Sequence, residues 1–195
     1  MLDIAHANVL ITGGASGIGR GLAERLLRAG AKVLGQKEID ILLAGPVHLN
    51  SMLLPTMLEG QHAGLIVNVT SGGAYIPQPF APLYAACKAA LHSYTVTLRH
   101  ALRDAPIRVV ELIPPAVATG MAGPGNNHGA PVDEFCDTVF ARIVQGDADE
   151  VGYGATDSEQ FKAAQQTYKD MFTTFAPRFS TATYASQGKE TPHVL

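Results

Sequence analysis

The chain has 195 residues, 47% hydrophobic and 16% charged, which suits one ordinary domain with a sizeable core and excludes a disordered chain. The formal net charge is −3 and no basic cluster stands out, so nucleic acid is not an expected partner. No apolar run approaches the roughly 18 residues of a membrane span, and none is expected.

Along the chain, MLDIAHANVLITGG has neither a basic region nor a cleavage-site pattern, and its apolar run leads into glycines. It reads as a strand over Val9–Thr12 and not as a signal peptide. Next, Ile18, Leu22 and Leu26 fall on one helix face, and Gly30 sits where a helix C-terminal glycine belongs. Ala31–Leu34 is a second strand. Leu65–Thr70 and Ile107–Ile113 read as unalternated apolar strands buried on both faces, with a long helix over Pro82–Asp104 between them. Residues 119–131, TGMAGPGNNHGAP, read as a flexible loop. Helices are expected over Val132–Val144 and Ser158–Phe175, and a loose polar tail from Ala176. Strand, turn, helix and strand in this order predict a doubly wound α/β fold, a parallel sheet with helices on both faces, as one domain over 1–195.

Only two cysteines occur, Cys87 and Cys136, with neither a disulfide framework nor a metal-ligand pattern. They read as buried small apolar side chains in a reduced, cytoplasmic setting, and no metal is expected.

Three stretches carry chemistry. Thr12–Gly19, TGGASGIG, lies between a strand and an amphipathic helix. Its glycines permit a tight turn and close approach of a pyrophosphate, and the helix start offers free N–H groups. Tyr84 and Lys88 in YAACK are four apart, hence on one helix face. An ammonium so placed favours phenolate, and a tyrosine tuned towards neutrality can exchange a proton with a carbonyl or alcohol oxygen. Ser71 ends the strand VNVTS, 13 residues before Tyr84, at the carboxyl edge where α/β sheets bind ligands.

Together, T-G-x-x-x-G-I-G, then Ser, then Tyr-x-x-x-Lys resembles the short-chain dehydrogenase/reductase family from about Val9 to about Met121. The phrases VTSG, YAACKAALHSYTVTLRHAL, PPAV, GPG and APVDEF are similar to its DltE-like branch. The resemblance implies NAD or NADP, with hydride transfer to or from a small carbonyl or alcohol substrate. It implies Tyr84 as acid/base, Lys88 on the nicotinamide ribose and Ser71 on the substrate oxygen. Gly13, Ser16, Ile18 and Gly19 would line the phosphates, with Val117 and Thr119 at the nicotinamide carboxamide. Pro115 stands where the family usually has Gly. The family commonly forms homodimers or homotetramers.

Residues 33–47, VLGQKEIDILLAGPV, depart from that pattern. Ile39–Leu42 resembles the family's central fourth strand, but the Asn-Asn-Ala-Gly that usually follows is absent. Leu43–Val47 resembles the start of the next helix, without its opening Asn. A parallel crossover needs a dozen or more residues, and four Cα steps from Gly35 to Ile39 span at most about 15 Å. Residues 35–38 and 42–43 therefore read as joins where connecting segments are missing. If the chain is truly continuous there, the alternative is a catalytically degenerate binding or scaffold protein with this fold. His92, His100, His128, Tyr75 and Tyr94 are not assigned to the site.

Overall fold

The computed structural model describes residues 8–9, 28–29, 32–33, 36–59, 63–119, 128–146, 148–182 and 184. Strands β1 (Asn8–Val9) and β2 (Lys32–Val33) pair in parallel. Helix α1 (Gln36–Ile39) runs through a π-helical turn, Asp40–Ala44, into α2 (Gly45–Glu59). Then come β3 (Gly64–Val69), α3 (Pro82–Ala101), β4 (Ile107–Ile113), α4 (Val132–Gln145), β5 (Glu150–Gly152) and α5 (Glu159–Phe175). A second parallel sheet has the order β3-β4-β5. Its register sets Gly64 opposite Ile107 and Glu111 opposite Glu150.

The helices have local reasons to start and stop. Proline at position N1 opens α3, where its missing N–H is harmless, and Arg99 and His100 lie in its last turn, favoured by the helix dipole. Asp133 and Glu134 open α4, and Gly146, at φ 78°, closes it with its N–H on the Arg142 carbonyl. Ser158 caps α5 by accepting from the Phe161 N–H at 3.3 Å.

The core lies where α2 and α3 meet the sheet. Leu54 and Leu98 are fully buried there with Ile66, Leu102, Ile107 and Val109. A second cluster joins Val110 and Val151 of the sheet to Phe135 and Val139 of α4.

Four sequence expectations are corrected. Ile39–Leu42 is helical, not a strand. With three residues between Gly35 and Ile39, the chain cannot cross a sheet face, so this apolar segment winds directly into the following helix. It keeps a cost: Ile41 is 60% exposed. Strand β3 is not buried on both faces. Ile66 and Asn68 are buried, whereas Leu65, Val67 and Val69 are exposed, and among the described residues β4 is its only hydrogen-bonded neighbour. Cys87 is buried as expected, but Cys136 is exposed. Finally, Asp40–Glu59 is, by length and composition, apolar enough to cross a membrane. Its Leu54 nonetheless sits in the core, and its Asn50 amide donates to the Asn68 side chain of β3 at 3.1 Å, so it packs on the domain.

Candidate active site

Ser71 follows β3 with extended backbone (φ −172°, ψ 158°) and caps the short 3-10 turn Gly72–Ala74. Its hydroxyl oxygen accepts the Gly73 N–H at 3.1 Å, which leaves its proton free to donate. Gly72 is required here by packing: a Cβ would lie 2.9 Å from the Thr156 methyl. The Gly72 N–H donates to the Pro114 carbonyl at 3.1 Å, tying the serine turn to the end of β4.

Helix α3 packs against this turn. Lys88 is 9% exposed, and its ammonium donates to the Val69 carbonyl, the last residue of β3, at 2.7 Å. The same ammonium lies 5.7 Å from the centre of the Tyr84 ring. Burial pulls the Lys88 pKa below its ordinary value, while Cys87 acts in the opposite sense. The structure thus brings Lys88 together with Tyr84 and with the strand end that carries Ser71.

Val117 forms an isolated bridge with Ala130. The Ala118 N–H donates to the Ala130 carbonyl, and the Ala130 N–H to the Ala116 carbonyl, each at 2.9 Å. The Thr119 N–H folds back on the Val117 carbonyl at 2.8 Å. Gly129 makes the bridge possible: its φ is +117°, and a Cβ would lie 2.5 Å from the Ala116 carbonyl. Gly13, Ser16, Ile18 and Gly19 lie outside the described residues, as do residues 120–127 of the expected loop.

One cluster escaped the sequence reading. Glu111, at the centre of β4, is fully buried. It accepts from the Thr70 hydroxyl at 2.7 Å, the Tyr75 hydroxyl at 3.2 Å and the His92 Nδ1 at 2.8 Å. The available signal was a carboxylate inside the apolar run IRVVELI, together with a histidine one turn after Lys88. Burial drives the Tyr75 phenol far above the ordinary tyrosine value, and the Glu111 and Glu150 charges push the same way. Tyr75 therefore holds its proton, and is no rival to Tyr84 as an acid/base group.

A groove of about 550 Å³ lies at the opposite end of β4, lined among others by Arg99, Arg108, Asp149 and Lys169. Its charges pair with one another: Arg108 with Asp149 at 3.2 Å, and Lys169 with Glu150 at 3.1 Å. Among the described residues no cluster of His, Cys, Asp and Glu could hold a metal.

Parallel strands joined through helices, with serine at a strand end and Tyr-x-x-x-Lys on the next helix, define a Rossmann-type α/β protein. Residues 35–129 match the family model for short chain dehydrogenases. Over that stretch the chain is similar to the short-chain dehydrogenase family, and its relatives are DltE-like. It is 46% identical over 84 residues to the uncharacterized oxidoreductase DltE of Bacillus subtilis, covering 43% of this chain and 33% of that protein. It is 37% identical over 86 residues to the 11-beta-hydroxysteroid dehydrogenase-like 3 of Arabidopsis thaliana, covering 44% and 27%. The chain thus spans about a third of the length of the curated relatives it matches.

Two solved structures share the fold. The bulky-bulky ketone specific alcohol dehydrogenase of Comamonas testosteroni has TM-score 0.56 and 16% identity, with 86% of this chain and 95% of that chain covered. A short chain dehydrogenase/reductase of Burkholderia phymatum, in complex with NAD, has TM-score 0.53 and 18% identity, with 96% and 100% covered.

Proposed function

We propose that the chain is an NAD- or NADP-dependent oxidoreductase that moves a hydride between the nicotinamide and a small carbonyl or alcohol substrate. The observation that carries this reading is the Lys88 ammonium, held on the Val69 carbonyl at the strand end and 5.7 Å from the Tyr84 ring. In the reductive direction Ser71 donates a hydrogen bond to the substrate oxygen, and Tyr84 gives that oxygen its proton. Lys88 supplies a fixed positive charge beside the phenol and further N–H donors for the cofactor ribose. The dinucleotide supplies the hydride. Val117 and Thr119 would meet its carboxamide, and Gly13, Ser16, Ile18 and Gly19 its phosphates. The NAD complex of the Burkholderia phymatum relative agrees with this cofactor class. The working unit on this reading is a cytoplasmic homodimer or homotetramer.

The test is Tyr84→Phe, which is expected to abolish turnover while dinucleotide binding survives; unchanged turnover would refute the role.

One observation favours a second reading, a catalytically degenerate protein that binds but does not react. Gln36–Glu59 is a continuous helical stretch where the family resemblance leads one to expect a central strand. Dinucleotide binding with no hydride transfer to any of a broad set of carbonyls would select this second reading.

A further inference from the structure

The buried Glu111 cluster ties together the elements that carry the proposed reacting groups. Thr70 immediately precedes Ser71. Tyr75 closes the 3-10 turn that Ser71 caps. His92 lies one helical turn beyond Lys88, on the stripe that begins at Tyr84. All three donate to one carboxylate: Thr70 to Oε1, Tyr75 to Oε2, and His92 Nδ1 to both oxygens at 3.0 and 2.8 Å. The ring of His92 makes tilted contacts with Tyr75, with centroids 4.5 Å apart, and with Tyr168 of α5 at 4.8 Å. A fully buried carboxylate is costly, and an apolar residue of similar volume is often as stable in such a place. Three donors from three elements fix direction and distance in a way that an apolar contact does not.

We propose that Glu111 and His92 are positioning residues, which hold the Ser71 turn and helix α3 in the register that sets Ser71, Tyr84 and Lys88 against one substrate. The inference rests on the reading of those three as the reacting groups. The carboxylate fixes the end of β3 through Thr70 and the serine turn through Tyr75. Through His92 it fixes the rotation of α3 one turn from Lys88, whose bond to the Val69 carbonyl is the next tie along the same seam. The Asn68 amide extends the seam by donating to the Thr95 hydroxyl at 3.0 Å.

The test uses Thr70→Val, which removes one donor at nearly constant volume, and Glu111→Gln. Turnover, dinucleotide affinity and the titration of Lys88, followed by NMR of isotope-labelled lysine, are measured in each. Slippage of the active groups by about 1 Å is worth roughly 10²-fold in rate, so kcat should fall towards that extent while dinucleotide affinity stays close to wild type. The Lys88 titration should move up towards the ordinary lysine value as its seat on Val69 loosens. Folded variants with wild-type kcat and an unmoved Lys88 titration would overturn the inference. So would failure of both variants to fold, which would make the cluster a folding determinant alone. If the wild type shows no turnover at all, the proposed function fails, and the Lys88 titration still decides whether the cluster positions α3.

Discussion

Replacing Leu54 by Ala examines the segment where sequence and structure part most clearly. Leu54 is fully buried against Ile66, Leu98, Leu102, Ile107 and Val109, whereas its helix neighbours Met52 and Leu53 are 62% and 50% exposed. Truncating a fully buried leucine costs about 2–5 kcal/mol, lost transfer energy plus the cavity left behind. Taking about 3 kcal/mol, a chain of this size should lose roughly 6–12 °C in Tm. Met52→Ala and Leu53→Ala should each stay within about 0.5 kcal/mol of wild type, because water already covers those side chains. Urea unfolding gives all three values, with an unchanged m-value showing that the effect is on stability itself. The contrast depends on the helical register that follows the π-helical turn at Asp40–Ala44. Comparable losses at all three positions, or a larger loss at Met52 or Leu53, would refute the packing of α2 on the sheet.

Three further outcomes follow from the geometry. Gly129→Ala puts a Cβ 2.5 Å from the Ala116 carbonyl at φ +117°; strain of about 1–3 kcal/mol should lower Tm, and disturbance of the Val117 bridge should weaken dinucleotide binding in a fluorescence titration. Unchanged Tm and affinity would contradict that account. Burial pushes the Tyr94 phenol up to about 12, with Tyr184 adding to the effect, so the folded state keeps a proton that the unfolded chain sheds near 10. Stability should therefore fall between pH 10 and about 12, and Tyr94→Phe should flatten that fall in a Tm-against-pH series. Lys88 has the opposite sign: its lowered pKa means that the unfolded state binds more protons just below 10.5, so stability should rise with pH there, and Lys88→Met should remove the rise.

Much of this was legible in the residues, for identifiable reasons. Strand β4 was read at its true limits because a buried parallel strand is a continuous apolar run between turn signals. Helix α3 begins at Pro82 as the sequence suggests, though it ends at Ala101 and not at Asp104, and Tyr84 and Lys88 come with it. Three things were not legible. Strand β5 has three residues, and its place is set by pairing with Glu111–Ile113, not by a pattern of its own. The β-like composition of Ile39–Leu42 yields to chain geometry, since a segment without a crossover cannot enter a parallel sheet. The exposed face of β3 depends on what lies beside it, which an apolar run does not record. Glu111 stood in plain sight as a charge within a strand, but its meaning came only with Thr70, Tyr75 and His92 arriving from three other parts of the chain.

The central claim is that Ser71, Tyr84 and Lys88 form a working proton- and hydride-transfer site. The most direct measurement follows oxidation of reduced NAD and NADP by the purified protein with a panel of small aldehydes and ketones, beside the Tyr84→Phe variant, with dinucleotide affinity measured for both. Turnover by the wild type, its loss in the variant and similar affinity in the two are what the account predicts. Dinucleotide binding without turnover, or turnover that survives loss of the Tyr84 hydroxyl, would contradict it.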